Sequence, residues 1–130
     1  MLKANELRLG NLIKVSCPNS YLIQSKERTV EKCNIHHLED IANENVKWMY
    51  EPIELTEEWL LNFGFVKDEE IGYRWCLEWE KCIIIAYDLD DKCIRVSDTW
   101  EFGKRDFVHQ LQNLYFSLTG VELELSSNVA

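Results

Sequence analysis

The sequence predicts an α+β fold: a small curled N-terminal β-sheet, a short central helix, and an antiparallel three-stranded meander packed by a C-terminal amphipathic helix. Three observations carry this expectation. Short apolar runs in the first fifty residues are separated by turn residues, residues 73–80 alternate large apolar with mostly polar side chains, and residues 107–118 repeat apolar residues at helical spacing.

Gly10-Asn11 is a turn signal ahead of the apolar stretch Leu12-Ile13-Lys14-Val15, and Pro18-Asn19-Ser20 makes the next turn. Tyr21 to Gln24 and Thr29 to Cys33 are short strand candidates, and such strands between turns suggest a curled sheet. Ile35, Leu38 and Ile41 recur at helix-like spacing. Thr56 is a good N-cap, Glu57 and Glu58 suit the first turn, and Gly64 can close the helix in the left-handed region. Leu55 is placed to staple onto Leu60, with Trp59, Leu60 and Phe63 as the inner face.

Tyr73 to Glu80 then reads as a half-buried strand, Cys82 to Tyr87 as a central strand buried on both faces, and Asp88-Leu89-Asp90-Asp91 as the hairpin before Lys92 to Ser97. Asp106 is the expected cap of a helix whose stripe holds Phe107, Val108, Leu111, Leu114, Tyr115 and Leu118, with Gly120 at its end. Val121 to Leu125 alternates as a last strand. The expectation is one domain over 1–130: a β-rich half over 1–50, a helix–meander–helix half over 51–125, and a frayed tail over 126–130.

Charge bears most directly on function. Fourteen Lys and Arg face 23 Asp and Glu, a formal net charge of −9. That field repels phosphate backbones and anionic membrane surfaces, so direct nucleic-acid binding and membrane binding are disfavoured and a neutral or basic protein partner is favoured. No run approaches the ~20 apolar residues of a membrane helix. The first residues lack the apolar core of a secretion signal, and five irregularly spaced cysteines suit reduced thiols, so the expected location is a cytoplasm.

No constellation points to catalysis. Cys33, His36 and His37 fall short of the four ligands of a structural zinc, and adjacent histidines point apart. Asp88, Asp90 and Asp91 fail the calcium-loop pattern, which asks for Gly at the position of Cys93 and Glu at that of Thr99. A Cys33–His109 pair lacks any local signature of a nucleophile, and there is no phosphate loop. The expectation is therefore no enzyme, no cofactor and no metal. Gln110 to Phe116 loosely resembles peptides that dock in bacterial sliding clamps, but its apolar residues fit a helix face. Tyr73, Trp75, Leu77 and Trp79 are either core or interface, while Trp48, Met49, Tyr50 and Trp100 lie near expected loops and suit contact sites.

Three segments look familiar together. They are Asn5 to Asn11, Pro52 to Leu60 with Phe63-Gly64-Phe65, and His109 to Leu123. In order and spacing they resemble a family of small proteins encoded by bacteriophages and integrated mobile elements, to which no catalytic residues are assigned. The resemblance and the acidity together imply an inhibitor of anti-CRISPR type, occupying a basic surface on a host protein such as an RNA-guided defence nuclease. The residues expected to face it are Glu78, Glu80, Asp88, Asp90 and Asp91, with Trp100 as an anchor. The competing expectation is an accessory factor in phage replication or assembly, a homodimer or clamp binder.

Overall fold

A computed structural model of the chain describes residues 2–16, 28–43, 49–80, 83–97 and 100–125, with the side chains of Ser16, Arg28, Trp79, Glu80 and Ile83 excepted. The Pro18-Asn19-Ser20 turn, the Tyr21–Gln24 strand candidate, Trp48 and the tail 126–130 lie outside the described residues. The fold is α+β, with antiparallel sheets of three and five strands and three helices among the described residues. Two compact units are distinguished: Met1–Glu54 with Phe107–Leu114, and Leu55–Asp106 with Tyr115–Ala130.

In the first unit, strand β1 (Leu12–Ser16) lies between β2 (Arg28–Lys32) and β3 (Tyr50–Glu51). The register runs from Leu12↔Lys32 to Ser16↔Arg28 on one side, and Val15 faces Tyr50 on the other. Ile13 and Val15 join Leu2, Leu7, Cys33, Ile41 and Tyr50 in the core, with Leu38 and Met49 packed on it. Tyr50 is thus a strand core residue and Met49 half-buried, which corrects their expected place in an exposed loop. Helix α1 (Ile35–Ala42) opens on a reciprocal cap. Asn34 Oδ1 accepts from the His37 N–H at 2.9 Å, and His37 Nδ1 accepts from the Asn34 N–H at 3.2 Å. Of the expected stripe, Ile41 and Leu38 are inside, while Ile35 in the first turn is exposed.

Helix α3 (Val108–Thr119) starts at Val108, so its cap position is Phe107 and not Asp106. Gln110 Oε1 reaches back to accept the Phe107 N–H at 3.1 Å. Within the first unit, the early turns of α3 meet the turn before β1. The Leu12 N–H donates to Gln112 Oε1 at 2.8 Å, and Asn113 Oδ1 accepts from both Arg8 Nε and Asn11 Nδ2 at 2.8 Å. Asn113 Nδ2 donates to the Glu6 carbonyl at 2.8 Å. Asn11 and Gln112 are buried, so these bonds satisfy polar groups that water cannot reach.

In the second unit, helix α2 (Glu57–Asn62) is signalled locally at both ends. Thr56 Oγ1 accepts from the Trp59 N–H at 3.5 Å. At the other end the Phe65 N–H donates to the Leu60 carbonyl and the Gly64 N–H to the Leu61 carbonyl, the Schellman pair, with Gly64 at φ +94°. Leu60 and Phe65, the residues that such a closure brings together, are both buried.

The five-stranded sheet has the order β4 (Val66–Lys67), β5 (Arg74–Glu80), β6 (Ile83–Asp88), β7 (Cys93–Val96), β8 (Trp100–Lys104), all antiparallel neighbours. The expected three-stranded meander is its centre. Strand β8 occupies a stretch expected as loop, and Val121–Leu125, expected as a strand, carries none, although Leu123 is buried. One face presents Trp75, Leu77, Ile85, Tyr87, Ile94 and Val96, all buried or half-buried; the other carries Arg74, Glu78, Ile84, Asp88, Arg95 and Glu101. Ile84 is 44% exposed there, while Ile85 to Asp88 are buried on both faces, so the expected double burial of β6 fails at Ile84 and holds beyond it.

Candidate docking surface

Two acidic loops stand at the same end of the five-stranded sheet. Between β4 and β5, Asp68 Oδ1 accepts the N–H groups of Glu70 and Ile71 at 2.9 and 3.1 Å. That side-chain turn engages one oxygen of the Asp68 carboxylate with the backbone. It leaves Glu69 and Glu70 exposed and without an ion pair among the described residues. Between β6 and β7, Asp90 Oδ1 accepts the Asp91 N–H at 2.7 Å and Asp91 Oδ1 accepts the Cys93 N–H at 3.0 Å. The Leu89 N–H donates to the Tyr73 carbonyl at 2.9 Å, which ties the two loops together.

A row of charges crosses four strands beside them. Arg74 on β5 holds Asp88 on β6 through two bonds, at 2.8 and 3.1 Å. Arg95 on β7 reaches Asp88 at 3.3 Å, Asp91 at 3.5 Å, and Glu101 on β8 at 3.3 Å. Burial alone would raise the Asp88 carboxyl. The hydrogen bonds and charges of the two guanidiniums outweigh it and hold Asp88 below the usual carboxylate range.

Asp88, Asp90 and Asp91 offer carboxylate oxygens within 4.8 Å of one another, the one such group among the described residues. The Arg95 guanidinium already pairs with two of these carboxylates, which meets their need for positive charge from within the chain.

The residues expected to face a partner do not form one surface. Asp88 is 2% exposed and committed to Arg74 and Arg95, so its expected docking role is corrected to a structural one. Asp90 and Asp91 are exposed at the acidic end. Glu78, opposite Ile84, lies four residues along β5 from Arg74, about 13 Å away at ~3.3 Å per residue. Trp100 pairs with Val96 while its neighbour Glu101 pairs with Arg95, so Trp100 lies on the opposite face from Glu78 and Glu101. It is 66% exposed, and as an anchor it belongs to a different surface from the aspartates. Glu80 pairs with Ile83 past a register shift, and its side chain lies outside the described residues. Glu69, Glu70 and Glu101 were missed by the sequence reading; the run Asp68-Glu69-Glu70 ahead of a strand was the available signal.

The other constellations resolve individually. His37 is engaged in the α1 cap and tilts against Tyr50 with ring centroids 5.5 Å apart, while His36 is exposed. Cys33 is buried, and burial pushes its thiol up, against the thiolate that a nucleophile needs. His109 stacks on Phe107 at 5.9 Å, is 1% exposed, and has no hydrogen bond at either ring nitrogen among the described residues; Glu6 Oε2 stands 3.9 Å from Nε2. Desolvation lowers its pKa, with Glu6 working the other way. In the stretch resembling a clamp peptide, Leu111 is buried and Leu114 and Tyr115 are half-buried. Of the aromatic strand, Trp75 is core at 3% exposure, Leu77 half-buried and Tyr73 exposed. Among the described residues no helix is long and apolar enough to cross a membrane.

A cleft of about 570 Å³ opens beside the β4–β5 loop. Leu61, Phe65, Val66 and Trp75 form its apolar wall, and Lys67, Asp68 and Glu69 its polar rim. Compared with known protein families, with curated proteins and with solved structures, the chain matches none of them.

Proposed function

We propose that this chain is a non-enzymatic, acidic docking protein of phage or mobile-element origin, acting in the bacterial cytoplasm by occupying a basic, nucleic-acid-binding surface on a host protein. An RNA-guided defence nuclease is the partner class. The observation that carries the reading is the acidic end of the five-stranded sheet, where Glu69, Glu70 and Asp90 are exposed and make no ion pair among the described residues. The second unit holds 15 Asp and Glu against 7 Lys and Arg, a formal −8, while the first holds 8 against 7, a formal −1. Such a field steers association with a Lys- and Arg-lined groove and competes there with phosphate. The origin and the partner class rest on the resemblance of the three segments together with this charge.

The same reading disfavours chemistry by the chain itself, because the one thiol considered as a nucleophile is buried with its pKa raised. Burial of Leu111 weighs against the sliding-clamp alternative. The test is a cleavage assay with purified RNA-guided nucleases across a range of salt. Inhibition relieved by added salt and by excess guide–target duplex supports the proposal; absence of any salt-sensitive binding to these effectors ends it.

A further inference from the structure

We infer that His109 is a proton-sensitive latch: on protonation its ring leaves its buried place and turns outward to the Glu6 carboxylate, and the start of α3 is released from the turn before β1. The latch lies within the first unit and is independent of the docking reading.

His109, Gln112 and Asn113 stand three and four residues apart, so they share the face of α3 that meets residues 6–12. Gln112 and Asn113 hold that segment through the Leu12 N–H, Asn11, Arg8 and the Glu6 carbonyl. His109 is as deeply buried, yet it makes no hydrogen bond at Nδ1 or Nε2 among the described residues. A buried polar group without a partner is costly, and an apolar side chain would fill the same place without that cost. The neutral ring is tolerated there. The imidazolium brings a charge and two N–H donors with no acceptor in reach.

The way out is short. Glu6 ends the one-turn 3-10 helix Ala4–Glu6, and its side chain is 41% exposed, with Oε2 3.9 Å from His109 Nε2, too far for a hydrogen bond. A small outward movement of the ring gains both an anion and water. The other charged groups at this end of α3 are otherwise placed. Arg8 is bonded to Asn113 and the Gln112 carbonyl, Glu54 meets the helix start through its backbone bridge to Phe107, and Asp106, just ahead in the chain, pairs with Lys92. Desolvation holds the ring neutral, and Glu6 is the group whose charge opposes it.

The experiment is hydrogen exchange followed by NMR on the full chain. The Leu12 amide, bonded to Gln112, reports on the latch, and the Ala86 amide in β6 is the reference. The open form binds the proton more strongly. Opening at Leu12 should therefore rise by up to about tenfold per pH unit as pH falls below 6.5, while Ala86 keeps its protection. His109→Phe, or His109→Leu should the larger ring not fit, should abolish this pH dependence. Glu6→Gln removes the counter-charge and should move the onset to lower pH. Equal loss at Leu12 and Ala86 would mean general acid unfolding and overturns the latch. A His109 ring resonance, assigned by its loss in the variants, that titrates while Leu12 stays protected also overturns it, because Glu6 would then hold the imidazolium in place.

Discussion

The two units handle polarity in opposite ways. The first is nearly neutral and buries its polar groups, with Asn11, Gln112 and the Asn113 amide knitting the turn before β1 to the start of α3. The second keeps polarity outside, in two acidic loops and a charged row across β5 to β8, and among the described residues buries one carboxylate, Asp88, on which two arginines close. Buried neutral bonds fix a fold but present nothing to a partner; exposed uncompensated charge adds little to stability and attracts from a distance. The contrast assigns scaffold to the first unit and recognition to the second.

The largest expected effect is at Asp88. Asp88→Asn leaves Arg74 and Arg95 facing each other over a buried amide, and breaking a buried pair in this way costs about 3 kcal/mol, read as a lower urea midpoint with unchanged slope. Asn113→Ala in the first unit removes an acceptor for Arg8 and Asn11 and a donor to Glu6, and should cost about 2 kcal/mol by the same measurement. If the Asn113 change proves the larger, the neutral network contributes more to stability than the buried Asp88 cluster.

Acid separates the units further. The His109 pKa is lowered by burial, so the unfolded chain takes up a proton first, and stability falls as pH drops below 6.5, the ordinary histidine value. Asp88 is lowered by its arginines, so its contribution persists above the ordinary carboxyl value of 3.8 and fails as pH falls below it. Hydrogen exchange should show β1–β3 amides losing protection as pH falls below the ordinary histidine value of 6.5, ahead of β5–β7. His109→Phe should flatten the first step. Simultaneous loss in both sheets would show that Glu6, facing His109 at 3.9 Å, compensates the imidazolium.

What the sequence disclosed followed the range of its signals. Helix α2 was readable at both ends because Thr56 and Gly64 act on neighbours three or four residues away. Strand β8 was not, because the register shift opposite Ile94 and Arg95 and the left-handed Gly103 interrupt its alternation. Val121–Leu125 alternates but pairs with no strand among the described residues, and alternation without a partner is not a strand. The acidity of the hairpin was plain, yet the burial of Asp88 depends on Arg74 fourteen residues before it and Arg95 seven after. The placement of Glu78 and Trp100 on opposite faces likewise depends on register, which no local pattern reveals.

The smallest effect on stability accompanies the most direct test of the central claim. Affinity for hexa-arginine amide, measured by calorimetry from low to physiological salt, is compared between two triple reversals of equal charge. One is Glu69→Lys, Glu70→Lys and Asp90→Lys in the second unit; the other is Glu31→Lys, Glu39→Lys and Glu51→Lys in the first, all at exposed positions. Recognition by the acidic sheet end predicts about a tenfold loss and a shallower salt dependence for the first variant, from three exposed pairs at about 0.5 kcal/mol each. It predicts less than about a twofold loss for the second, with melting temperatures close to the parent's for both. Equal losses from the two variants would mean that net charge alone attracts the peptide, and the assignment of recognition to one unit would be wrong.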